Sequence, residues 1–160
     1  MKIFSVVIIV GMCGVVGYNY KSSITKKLEL LKLLRKYTEF VESNLTLFKT
    51  DLLKINNKFI IMQKNKNAEC LQNILNNTTL KSNNTYFYKV IKDKDVCEII
   101  ISFMSELGKG EYDFEIEKIN RFLLFLNKQI TKCEDDVKNK GDLFFKLSLA
   151  VGAVLGVCIW

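Results

Sequence analysis

Both ends of this chain are long runs without a charge, and that restricts its architecture more than any other feature. From Leu147 to Trp160 the chain reads Leu-Ser-Leu-Ala-Val-Gly-Ala-Val-Leu-Gly-Val-Cys-Ile-Trp. At the other end, Ile3 to Tyr20 is 18 residues with no charged side chain. At about 1.5 Å per residue such a helix reaches roughly 27 Å, close to one hydrocarbon core. Within a bilayer the backbone must bond to itself, so runs of this kind are helical. The tail reaches a similar length if it is counted from Leu143 and Lys146 snorkels to the headgroups, with Trp160 at the far interface. The expected organisation is therefore a membrane helix over residues 1–21, a helical domain over 22–142, and a second membrane helix over 143–160.

A cleaved signal is the weaker reading of the first run. No small-residue cleavage pattern closes it, and Met12 stands before Cys13, where a lipoprotein signal needs a small residue. Gly11, Gly14 and Gly17 recur every third residue, and Ser148, Gly152 and Gly156 form a small-xxx-small row. Small faces let helices approach closely, although glycine is also common in membrane helices generally. The two faces could pack as a pair. Lys21, Lys26 and Lys27 follow the first run, and Lys138, Lys140 and Lys146 flank the second. By the positive-inside rule both flanks put the middle of the chain in the cytoplasm.

That middle, Lys21 to Asp142, carries 22 Lys and Arg against 17 Asp and Glu, with the signs interspersed. This is a solvated surface rather than a stripe for nucleic acid. The chain has no histidine, hence neither the commonest general base nor the commonest metal ligand. No nucleophile triad, phosphate loop or metal-ligand spacing is present, so neither a cofactor nor catalysis is expected. The five cysteines form no CxxC pair and read as reduced, partly buried thiols. Glu134-Asp135-Asp136 reads as a solvated helix face rather than a cation site.

Apolar residues at Ile24, Leu28, Leu31, Leu34, Tyr37 or Thr38, Val41, Leu45, Phe48 and Leu52 mark an amphipathic helix of about seven turns. Leu30 and Leu33 widen its stripe, which suits a globular bundle. Thr50-Asp51 is expected to break it and cap a helix from Leu52 to Gln63. A short helix is expected over Ala68–Leu75, followed by a turn-rich stretch whose Asn-x-Ser/Thr matches carry no meaning in a cytoplasmic domain. Tyr86-Phe87-Tyr88 reads as packing aromatics rather than a base-stacking platform. Asp95 and Glu98 fit a capping box for a helix that ends at Gly108 and Gly110. Asp113 can cap the last long helix, whose core side runs through Phe114, Ile119, Phe122, Leu123, Leu126, Ile130, Cys133 and Val137. Phe122–Leu126 is apolar nearly all round, which fits central packing better than a face kept for another protein. Gly141-Asp142 is expected to bend this helix.

This plan resembles the stage III sporulation protein AB family. The family shows a Leu-Gly turn, an acid three residues on and a polar residue four after that. Here these correspond to Leu107, Gly108, Glu111 and Glu115, with Glu in place of the family's Asp and Gln. Its Leu-Gly-x-x-x-Gly entry to the last membrane helix is matched by Leu147, Ser148 and Gly152, with Ser148 in place of the first Gly. The resemblance implies an all-α domain similar to the platform proteins of type II secretion and type IV pilus machines. It also implies a non-enzymatic role in the channel between mother cell and forespore, on the mother-cell membrane. The implied partners are a cytoplasmic secretion-type ATPase and other membrane components of the channel complex. On that reading the expected ATPase-contact surface is Lys109, Glu111 and Glu115, taken as exposed polar groups beside the turn. A different membrane-anchored interaction protein, a membrane enzyme and a basic nucleic-acid binder are the competing readings.

Overall fold

A computed structural model describes residues 2–48, 52–62 and 85–158. Every element among them is helical: α1 (Lys2–Phe48), α2 (Leu52–Met62), α3 (Thr85–Ile91), α4 (Lys94–Glu106), α5 (Tyr112–Asp135), a π-helical segment (Asp136–Gly141) and α6 (Asp142–Cys158). Thr50-Asp51, Ala68–Leu75 and the Asn-x-Ser/Thr matches lie outside the described residues. Contacts divide the chain into two compact units, residues 30–128 and residues 1–29 with 129–160. The boundaries expected at residues 21 and 142 fall inside the second. Among the described residues no helix is long and apolar enough to cross a membrane.

Residues 30–128 are built on large side chains. Leu31, Leu34, Tyr37, Thr38 and Val41 of α1 are sealed from solvent, with Leu30 and Leu33 beside them. They recur in adjacent or near-adjacent groups every three or four residues, the spacing that keeps one broad helix face inward. From α2 come Ile55 and Phe59; from α4 come Val96, Cys97, Ile100, Phe103 and Met104; from α5 come Ile119, Phe122 and Leu126. The Tyr37 and Phe59 rings meet edge to face at 5.4 Å, and the Tyr37 hydroxyl donates to Asn56 Oδ1 at 2.7 Å. Burial pushes the Tyr37 phenol well above its ordinary value. Phe87 of α3 is buried while Tyr86 and Tyr88 are exposed, so the aromatic triplet contributes one packing residue.

The start of α4 differs from expectation. Its N-cap is Asp93, not Asp95. Asp93 is extended (φ −107°, ψ 112°), its Oδ1 accepts from Val96 N–H at 3.4 Å, and its carbonyl accepts from Cys97 N–H at 3.0 Å. Lys92, just before it, is left-handed (φ 60°) and donates its N–H to the Tyr88 carbonyl at 3.2 Å, ending α3. Once the chain turns at Lys92, the next residue with a short acidic side chain is Asp93. Asp95 falls in the first turn of α4, where its charge still favours the positive helix end.

The other unit buries Ile130 and Cys133, and between its two apolar ends the packing relies on small residues. Gly17, Gly141 and Gly152 are buried. A β-carbon on Gly152 would come within 3.1 Å of Val10 Cα and Cys13 Cβ, and one on Gly17 within 3.1 Å of Phe145 Cα while colliding with Ser148 Oγ. Gly14 faces Leu149, Gly141 faces Lys21, and the Tyr20 and Phe144 rings lie 4.5 Å apart. Partners that fall along α1 rise along α6, so the two helices run antiparallel, backbone close to backbone. Ser148 keeps its hydroxyl satisfied by donating to the Phe145 carbonyl at 2.8 Å. The segment just before α6 is π-helical, where a bend was expected at Gly141-Asp142. Asp136 and Lys140 bridge it at 2.6 Å, and that hydrogen bond holds the Lys140 ammonium above its ordinary pKa. Burial raises the Cys133 thiol, opposed by the nearby Lys27 charge.

Candidate functional site

The most constrained local structure outside the helices is the turn between α4 and α5. α4 ends at Leu107, whose N–H still donates to the Phe103 carbonyl at 3.0 Å. Gly108 then takes φ +80°, a left-handed conformation that glycine adopts without cost. Leu52 of α2 packs against it so closely that a β-carbon there would lie 2.9 Å from Leu52 Cδ2. Both its conformation and its surroundings therefore call for glycine.

A turn that leaves the helix this way strands backbone donors. Glu115, one turn into α5, takes two of them. Its Oε2 accepts from Gly108 N–H at 3.1 Å and its Oε1 from Gly110 N–H at 2.9 Å. Glu115 is only 4% exposed. It was expected among exposed polar residues, and the structure corrects this. Its carboxylate is turned inward because two amides and the first turn of α5 offer it hydrogen bonds and positive potential. A carboxylate can receive both amides at once, one on each oxygen. Lys118 stands 3.9 Å from Glu115 Oε1 and 3.1 Å from Glu106 Oε2. Glu106 also accepts from Ser102 Oγ at 3.2 Å. The Lys118 hydrogen bond, ahead of the Ser102 one, holds the Glu106 carboxyl below its ordinary pKa.

Lys109 and Glu111, the other two residues expected at this site, are exposed on the turn that Glu115 holds. The Glu111 carbonyl accepts from Glu115 N–H at 2.9 Å, so α5 starts just after it and Asp113 lies in the first turn rather than at the cap. Sequence reasoning thus located the turn and its three polar residues but not their division of labour. The signal that could have separated them is spacing. Glu115 lies seven residues past Gly108 and five past Gly110, a reach that fits a side chain folding back over its own helix start.

Beside the turn, α4 and α5 run antiparallel as a helical hairpin. Its seam is an open groove of about 410 Å³ lined by Glu98, Ile99, Ser102, Phe103, Phe122 and Phe125 among others. Phe103 and Phe122 stack in its floor with ring centroids 3.7 Å apart. Phe122 and Leu126 are buried, whereas Leu124 is 71% exposed, so the Phe122–Leu126 run is not inward on all sides; Phe114, expected on the core side, is also exposed, in the first turn of α5.

The small-residue positions divide in the same manner. Gly14, Gly17, Ser148 and Gly152 come together between α1 and α6, whereas a β-carbon on Gly11 would meet nothing within 4 Å. Gly156 lies within α6, and its surroundings are not among those described. Among the described residues, no group of His, Cys, Asp and Glu could hold a metal ion.

Comparison with curated proteins finds no match, and neither does comparison with solved structures. The model of the family described as stage III sporulation protein AB matches residues 2–160, essentially the whole chain, and the chain belongs to that family.

Proposed function

We propose that this sporulation-related protein is a non-enzymatic membrane platform of the channel between mother cell and forespore, holding a cytoplasmic secretion-type ATPase against the other membrane components. The observation that carries the reading is the family match over residues 2–160. On this reading the two apolar ends cross the mother-cell membrane as a pair and residues between them face the cytoplasm. Three features support the pairing. Ile3–Tyr20 is uncharged over 18 residues. The two helices approach through glycine and serine, the way helices associate where lipid removes the hydrophobic drive. The Tyr20 and Phe144 rings lie 4.5 Å apart, tilted by 36°, with Lys21, Lys140 and Lys146 close by in the sequence, the mixture of aromatic and basic residues found at a membrane surface.

The ATPase-contact surface on this reading is the α4–α5 turn, with Lys109 and Glu111 presented to the partner and Glu115 holding their backbone. A recognition loop works better when its shape is fixed in advance, because less freedom is lost on binding. The test is co-purification of the ATPase with the full chain extracted from sporulating-cell membranes. Reversing Lys109 and Glu111 together is expected to weaken retention, and unchanged retention sinks the site assignment. Glu115 is left intact in that variant, since its loss alters the turn itself. Topology is checked separately with Lys109→Cys, which a membrane-impermeant maleimide should reach only after the cells are opened.

A further inference from the structure

α1 is unbroken α-helix from Lys2 to Phe48. The run that packs against its first residues is not: a π-helical turn, Asp136–Gly141, separates α5 from α6. A π turn closes its hydrogen bond on residue i+5 rather than i+4, so it takes in one residue more than an α turn. Such turns are rare, and one extra residue in one of two packed helices changes which sides face each other.

Before the π turn, the buried positions of this run are Ile130 and Cys133, three residues apart and on one face. Cys133 lies toward α1, close enough for the Lys27 charge to act on its thiol. After the π turn, Gly141, Ser148 and Gly152 meet α1 at steps of seven and four, again one face. Their partners are Lys21, then Gly17, then Val10 with Cys13, in regular antiparallel order. Only the step between the two sets is irregular. Cys133 to Gly141 is eight residues. At about 3.6 residues per turn, eight residues overshoot two α turns by about 80°. Coiling of one helix about another absorbs only about 20° per seven residues. Taking one residue out of the count, as the π turn does, removes about 100° and brings the two faces within about 20° of each other.

We infer that the Asp136–Gly141 turn is a register device: it takes up the single residue by which the two faces are out of phase, and so decides which side of α6 meets α1. The inference does not depend on the platform reading. Without the π turn, each contact would pass to the residue one earlier. Lys140 would stand against Lys21, a like charge, in place of Gly141. Leu147 would replace Ser148 opposite Gly17, and Val151 would replace Gly152, where even a β-carbon comes within 3.1 Å of Val10 Cα. In the observed register Leu147 and Val151 are each 53% exposed. The Asp136–Lys140 pair spans the turn at 2.6 Å, but Lys140 is exposed and such pairs contribute little. The fit of the small residues on α1 is therefore what keeps the extra residue in the turn.

The experiment uses the full chain in detergent, with Tyr20→Cys and Phe144→Cys reporting the observed register by forming a disulfide. Deleting Asn139, an exposed residue of the turn, removes the extra residue. The segment then closes as plain α-helix with both faces still in phase. The 20–144 disulfide is expected to form as in the parent, with an unchanged melting temperature. Inserting one alanine after Asn139 instead adds a residue that the turn does not take up. α6 then turns by about 100°, and the disulfide is expected to be lost from position 144 and to form with Leu143→Cys. A deletion that abolishes the 20–144 disulfide, or moves it to Phe145→Cys, overturns the inference. So does an insertion that leaves position 144 fully crosslinked, since the segment would then absorb any length and set no register.

Discussion

In residues 30–128 the helices meet through large side chains; between the apolar ends, in the unit of residues 1–29 with 129–160, they meet where side chains are small or missing. Tyr37, Phe59, Phe103 and Phe122 fill the first. Gly17, Gly141, Ser148 and Gly152 open the second. On the membrane reading proposed above, the difference follows from the solvent each packing mode has to beat. In water, burying apolar area is itself favourable, so large side chains are the natural filling. Between helices that offer lipid-like surfaces, apolar area gains little by leaving its surroundings. Close backbone approach and dispersion are then the remaining sources of attraction. The two modes should therefore fail in opposite ways, the first when side chains shrink and the second when they grow.

The strongest test of the first half is Phe122→Ala. It empties the floor under Phe103, and a loss of about 3–5 kcal/mol is expected, read as a large drop in melting temperature of the full chain in detergent. A drop no bigger than that of an exposed substitution would show that the stacked pair is not the centre of this packing. Next in size is Glu115→Ala. It strands the Gly108 and Gly110 amides, at an expected cost of about 2–3 kcal/mol. Hydrogen exchange of these two amides should accelerate, whereas Glu115→Gln keeps one acceptor and should lose less.

For the second half the change is in the opposite direction. Gly152→Leu adds bulk against the Val10 backbone and should part α1 from α6, with an expected cost of about 1–3 kcal/mol. The readout is a disulfide engineered between positions 20 and 144, which should form in the parent and fail in the variant. If it forms equally well in both, close approach is not what holds this pair. A smaller and opposite effect is expected for Lys92→Gly. It relieves a left-handed backbone at an exposed residue, so stability should rise by about 0.5–1 kcal/mol.

The smallest effect is electrostatic. Glu106 has a folded-state pKa below its ordinary value because of Lys118. A depressed carboxylate contributes stability above its unfolded pKa, and that contribution is lost as the pH falls through the folded value. The Glu106 carboxyl should therefore titrate, by NMR, below a free glutamate, and Lys118→Met should return it toward the ordinary range. The group is exposed, so the accompanying change in melting temperature should be slight and should fade with added salt.

Periodicity alone carried the helical class, the α1 stripe through Leu31, Leu34 and Val41, and the stop at Gly108, because each depends on residue type at fixed local spacing. The uncharged ends and the small rows at Gly14, Gly17, Ser148 and Gly152 were equally plain in the linear order. What the linear order could not resolve was direction and choice among equals. Asp93 and Asp95 are both competent caps, and the left-handed turn at Lys92 selected the first. Gly11 and Gly14 are alike in sequence, yet only Gly14 has a neighbouring helix within reach. Glu111 and Glu115 differ by one helical turn, and the turn's two amides drew Glu115 inward while leaving Glu111 outside. In each case the deciding quantity was a distance between groups far apart in bonds, which exists only once the chain has closed on itself.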